Sequence, residues 1–383
     1  MKKHASKRRI HSRLFWSVTA AAAVSAGSVP YVFSSSASAL TRVCMSGTLV
    51  YHHKDAENGL KPATSPARSL DVELWGKTTA RGADSKLATG RTTAKGSFRV
   101  CHNTAGADIP QLWVRFLAQS TPPSARTPVW KVIRDSDKPR NVTFFDTARK
   151  RNVKRNQNFG IVSPPSAKAG AWKVADTVNP LYSKRHSPTP CWTRHETAGS
   201  CTPLTYVWPA PATAGSFYDP DRNVVVLTAA DAESRHLTLH ETGHFFHYEL
   251  YEKNDPPADN CDPHFIDKRS SPSCAWTEAF ANGVAAYALG DRRFVFPDGF
   301  SVDLSADRAF ATGDEVEGRV GASLLDLWEP GGPDGGNWNK TIDLMARKRP
   351  VNFREYFLRD RPSAGLSISG KARAIIRKHT INY

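Results

Sequence analysis

The sequence predicts two consecutive architectures, an all-β sandwich followed by an α+β domain. Three features of the 383-residue chain carry this. Residues 40–150 contain short stretches that alternate apolar and polar, at 70–74, 98–100, 112–116 and 142–144, separated by Gly, Pro and Ser clusters. From Phe159 the pattern changes to mixed helix and strand. Within that second part, residues 235–250 form a strongly apolar helical stretch interrupted by His240-Glu241-Thr242-Gly243-His244.

Ahead of both lies a targeting segment, residues 1–39. Its first 13 residues hold six Lys/Arg and no acid, an Ala-rich apolar run follows, and Ala37-Ser38-Ala39 is a small-residue cleavage site. The run is too short and too rich in Ala and Ser to span a bilayer well, so no transmembrane segment is expected after cleavage. The reading is a secreted, extracellular protein. Removing six basic and no acidic residues lowers the formal charge from +16 to +10. That suffices for attraction to an anionic cell envelope, and no nucleic-acid motif accompanies it. All six cysteines, Cys44, Cys101, Cys191, Cys201, Cys261 and Cys274, lie in the mature chain. An even number in an oxidising compartment reads as disulfides, and three sequence-local pairs are the favoured set among fifteen.

In the first part, residues 47–51, 70–75 and 92–98 are similar to the transthyretin-like or carboxypeptidase-regulatory β-sandwich, a resemblance covering about a quarter of the chain. It shows no chemistry of its own. The basic run 148–156 reads as an exposed last strand and linker. In the second part, residues 158–383, helices are expected at 171–178, 321–328, 352–358 and 371–378, and strands at 206–208 and 223–228. The strand at 223–228 is expected to edge the cleft. Residues 219–223 read as a turn, and Asp231 and Glu233 as the opening of the motif helix. Residues 253–274, rich in Pro, Asp and Ser, read as a surface loop beside the cleft, where Asp262 and His264 either touch substrate or are solvated, the solvated reading being favoured.

The motif carries the chemistry. Each helical residue turns about 100°, so His240 and His244 stack on one face and can point two imidazoles at one metal. Glu241 lies where a carboxylate can act on a water. The metzincin pattern is excluded, because His247 and Leu250 stand where it needs Gly and a third His. The better third ligand is Glu278, in Trp276-Thr-Glu-Ala-Phe-Ala-Asn282, with Asn282 on the same face as a hydrogen-bond partner for a ligand histidine.

On these residues the chain resembles the gluzincin metallopeptidases, the group of thermolysin and its relatives. The interval from His244 to Glu278 is longer than in thermolysin, and Asn282 stands where thermolysin-like enzymes carry Asp. The resemblance implies a zincin-like catalytic domain with Zn²⁺ held by His240, His244 and Glu278, and Glu241 as general base. It implies hydrolysis of a protein or peptide substrate. The alternatives are a zinc hydrolase of a non-peptide or cell-wall amide, and a secreted binding protein with a vestigial zinc site. The group also uses a further Tyr or His donor, for which Tyr248, His247, His264 and Tyr287 all qualify. The Gly-x-Met-Glu-Asn signature of aminopeptidases is absent, which favours internal cleavage.

Overall fold

The computed structural model describes residues 41–383 apart from 105, 135–137, 139–140 and 306–308. The expected export signal, residues 1–39, lies outside the described residues. Alternating side chains build the first half. Its strands are β1 (Thr41–Asp55), β2 (Lys61–Pro66), β3 (Asp71–Lys77), β4 (Ser85–Arg91), β5 (Ser97–Thr104) and β6 (Ile109–Leu117). The chain then passes through β7 (Gln119–Ser120) and β8 (Trp130–Ile133), and through β9 (Phe144–Asp146), β10 (Lys150–Val153) and β11 (Gln157–Val162). One sheet centres on β1, which pairs with β2, β5 and β11; the other runs β10–β6–β3–β4, with β9 also on β6. Val72, Leu74, Phe98, Val100, Val114 and Phe116 are buried, and the Phe98 and Phe116 rings meet edge-on at 4.9 Å. The Cys44–Cys101 disulfide joins directly paired positions of β1 and β5.

Two pairings cross the division expected near residues 150–158. β7 and β8 belong to a third sheet, also of five strands, and β11 returns to pair in parallel with β1. The described residues from 41 to 383 accordingly form one compact unit with a shared core, in which Trp130 on β8 donates a hydrogen bond to the carbonyl of Ala175.

The second half contains α1 (Ala169–Thr177), α2 (Asn179–Lys184), β12 (Leu204–Ala210), β13 (Phe217–Asp219) and β14 (Val224–Thr228). After them come α3 (Arg235–Leu250), α4 (Pro272–Leu289), β15 (Arg293–Val295), β16 (Ser301–Asp303) and α5 (Glu317–Trp328). The chain ends with α6 (Asn339–Lys348), a π-helical turn running into α7 (Arg361–Ser363), and α8 (Lys371–Lys378). The third sheet has the order β13–β14–β12–β8–β7. β14 is therefore interior. Its five residues are all buried, and β13 takes the edge beside the cleft. The reason is the turn at 219–223, where Asp219 accepts from the Arg222 amide and Asn223 adopts a left-handed φ of 49°, folding a short hairpin outward.

Asp231–Glu233 forms a separate 3₁₀ turn instead of opening α3. The cap is Ser234, whose hydroxyl accepts from the Leu237 amide. α4 begins four residues before Trp276, capped by Ser271, with Pro272 in its first turn. It is buried on nearly all sides, and Trp276 and Phe280, each fully buried, contribute about 1.5–3 kcal/mol apiece. No helix among the described residues is long and apolar enough to cross a membrane.

Candidate metal centre

The site forms where α3 meets α4. Gly243, inside the motif, sets the approach: a Cβ there would lie 2.7 Å from the Ala281 Cα, so only glycine lets the helices come this close. That contact brings Glu278 and Asn282 of α4 opposite His240 and His244. The His240 and His244 Nε2 atoms lie 3.1 Å apart, and each is 3.3 Å from Glu278 Oε2. Glu241 completes the group, offering an oxygen within 4.8 Å of both imidazole ligand atoms.

This triangle fits a bound cation. A tetrahedral zinc with bonds of about 2.0–2.1 Å holds its ligand atoms roughly 3.3–3.4 Å apart. Glu278 Oε2 is buried and neither imidazole is aligned to donate to it, so the oxygen has no hydrogen bond. Such an oxygen is costly unless the charge of the facing imidazoles or a bound cation compensates it. The outer contacts orient the ring. Asn282 Nδ2 donates to Glu317 Oε2 at 3.5 Å, which turns Asn282 Oδ1 toward His240 Nδ1 at 2.9 Å. His240 Nδ1 must then carry the proton, leaving the Nε2 lone pair facing His244 and Glu278.

The electrostatics follow from burial and pairing. Burial pushes Glu241 above the ordinary carboxylate range, opposed by His240 and His244. Burial also acts to raise Glu278, but His244 and His240 outweigh it and hold this carboxylate well below that range. For His244, the Glu278 charge overcomes desolvation and lifts the imidazole to about 9.

The loop before α4 lies beside the site and delivers His264 to it, the less favoured of the two expectations for this side chain. His264 Nδ1 is 2.9 Å from Glu317 Oε1 and 3.9 Å from Glu278 Oε2, and the ion pair with Glu317 lifts it to about 9. The Cys261–Cys274 disulfide anchors this loop, with Cys261 Sγ 3.8 Å from Glu278 Oε1. All three local cysteine pairs are present.

The other histidines of α3 are elsewhere. His236 is fully buried between Glu57 and the Asp291 carbonyl, and His247 sits among Tyr251, Trp276 and Phe280 with no hydrogen bond. Tyr287 stacks on Trp338 and Tyr248 packs on Tyr218, so of the four candidate donors only His264 reaches the centre. Glu317 was missed. Its signal was an acid on the apolar face of α5, at helical spacing from Gly321, Leu324 and Trp328.

Two cavities flank the centre. One, of about 620 Å³, adjoins His240 and Glu241 and is lined by Leu237, Phe294, Phe296, Phe300, Val302 and Phe310 among others. The second, of about 320 Å³, adjoins His244 and Glu278 and is bordered by Phe217 and Tyr218 of the edge strand and by Asp255.

No curated protein matches the chain. Among solved structures, a 9R-lipoxygenase from Cyanothece is similar at 16% identity over 37% of this chain and 22% of its own, with a TM-score of 0.21. The major plantain pollen allergen is similar at 11% identity over 32% of this chain and 92% of its own, with a TM-score of 0.18. The family models are more informative. The mycolysin middle domain matches residues 44–185, and the mycolysin C-terminal domain matches residues 185–380, which include every residue of the centre. The chain belongs to the mycolysin family.

Proposed function

We propose that this chain is a secreted zinc peptidase of the gluzincin type. It would bind one zinc through His240, His244 and Glu278 and cleave within peptide chains. Mycolysin is a family of secreted proteases, which supports export and a protein or peptide substrate. The observation that carries the reading is the triangle of two Nε2 atoms and an otherwise unbonded Glu278 Oε2.

When bound, zinc supplies Lewis acidity and lowers the pKa of a water toward about 7. The protein's own groups do the rest. Glu241, buried and raised in pKa, takes the proton of the attacking water and delivers it to the leaving amine. His264, held as a cation by Glu317, has its second ring nitrogen available to donate to the carbonyl oxygen as negative charge develops there. The phenylalanine-lined cavity beside Glu241 receives an apolar side chain of the substrate, and the cavity on the far side gives the chain room to continue. A purely structural ion would need no buried base beside it.

Glu241→Gln tests this. Casein hydrolysis by the mature chain is expected to fall by roughly 10²–10⁴, while zinc content and circular dichroism stay as in wild type. Wild-type turnover in Glu241→Gln overturns the assignment of the base.

A further inference from the structure

Glu317 is 1% exposed, and both of its carboxylate oxygens are used. Oε1 faces His264 Nδ1 at 2.9 Å, and Oε2 accepts from Asn282 Nδ2 at 3.5 Å. A buried acid is costly, and an apolar residue would suit the core face of α5 better. Its position in the first turn of α5 gives it a favourable helix dipole, but that interaction does not require burial or these two partners. Both partners, and Glu317 itself, line the cavity beside Glu241.

We propose that Glu317 is a positioning residue that fixes two parts of the centre at once, an inference that rests on the zinc reading above. Toward Asn282 it acts as an acceptor. A carboxylate cannot donate, so the Asn282 amide must present NH₂ to Glu317 and its oxygen to His240. His240 is thereby held in the tautomer whose Nε2 lone pair faces Glu278 and His244. Toward His264 it acts as an anchor. The loop 251–271 has no helix and no long strand, and the ion pair draws its histidine from solvent to the mouth of the site. Neighbouring backbone bonds, Gly318 N to Ile266 O and Ser270 N to Glu315 O, seat the loop on the start of α5 but leave the His264 side chain to Glu317. The continuous path is His264–Glu317–Asn282–His240.

This path makes a sign-changing prediction. Glu317→Gln lets the Asn282 amide turn either way, and the tautomer of His240 is no longer imposed. Asn282→Asp alone sets two buried carboxylates against each other. The double variant Asn282→Asp/Glu317→Gln restores the pattern. Its carboxylate, now at position 282, accepts from His240 and from the amide NH₂ at position 317, and the oxygen of that amide accepts from His264. The total charge is that of wild type.

The test is the zinc dissociation constant of each purified mature chain, measured by chelator competition, together with kcat and KM on one peptide. Each single variant is expected to lose about 10–100-fold in zinc affinity, with kcat falling more than KM rises. The double variant is expected to recover to within about threefold of wild type. That rescue is not expected if Glu317 only fills space. Wild-type zinc affinity in Glu317→Gln, or a double variant no better than the worse single one, overturns the inference while leaving the metal centre standing. A wild-type chain that binds no zinc overturns both.

Discussion

The middle and the last turn of α3 both bury titratable side chains, with opposite results. In the middle, His240, His244, Glu241 and Glu278 face one another; burial raises Glu241 against the pull of the two imidazoles, while Glu278 is held ionised and His244 protonated, each largely by the other's charge. In the last turn, His247 is enclosed by aromatic rings, and burial drives its pKa well below the ordinary value with no acid close enough to restore it. Glu249 beside it has one neutral partner, Asn223 at 3.3 Å, and burial together with the negative Glu196 pushes it up to about 7. Burial alone neutralises a side chain, whereas convergence keeps it charged and able to act.

The contrast breaks most completely at Glu278. Glu278→Ala removes the carboxylate that makes the middle of α3 a convergent site. Bound zinc, measured by elemental analysis, should drop from one per chain to well below one half, with hydrolysis lost alongside. Asn282→Ala should weaken binding less, by about 10–100-fold. Full occupancy in Glu278→Ala would move the third ligand elsewhere.

Convergence also depends on backbone approach. Gly243→Ala places a methyl against Ala281, and the overpacking is expected to cost about 1–3 kcal/mol. Denaturant titration should show that loss of stability, and chelator competition a weaker zinc site, because α4 carries Glu278. Stability and affinity both equal to wild type would show that the helices can separate freely.

A smaller effect is expected from Cys261→Ser/Cys274→Ser. The disulfide closes a short loop, worth on the order of 3 kcal/mol in the chain-entropy model. It also holds the His264 loop against the start of α4. Zinc affinity and activity should be lost at temperatures where circular dichroism still reports a folded chain. Loss of all three signals together would mean that the disulfide stabilises the fold as a whole and not the site.

Much of this centre was readable from the chain because its geometry is local. The spacing of His240 and His244 is a property of any helix, and Glu278 lies in the next apolar helix, whose Thr-Glu-Ala-Phe-Ala start marked it. The three disulfides join consecutive cysteines, two of them across short loops that chain entropy favours closing. What escaped depends on packing between distant segments. Glu317 acquires meaning only when α5 lies against α4 and the loop folds over both. His264 looks like any loop histidine until that acid is placed. β8 follows the sandwich strands in the chain, but it pairs with β12, more than 70 residues further on, and carries β7 with it. β14 read as a cleft edge because an apolar strand does not reveal whether a short hairpin partner will cover it.

The smallest effect sharpens the other side of the comparison. The folded-state pKa of Glu249 is raised, so the native state holds its proton more tightly than the unfolded chain. The penalty for ionising it is absent below about pH 4.5 and grows as pH rises toward about 7. Glu249→Gln should therefore raise Tm at pH 8 by roughly 2 °C and leave it unchanged at pH 4. An equal gain at both values would show that the carboxylate is not strained by burial.

The proposed function requires two imidazoles and a carboxylate of α3 and α4 to hold one zinc. X-ray absorption at the zinc edge of the loaded mature chain tests it most directly. The account predicts two imidazole nitrogens at about 2.0–2.1 Å, oxygen in the remaining positions and no sulfur, with one imidazole lost in His244→Ala. A sulfur shell near about 2.3 Å, or a spectrum unchanged in His244→Ala, would contradict it.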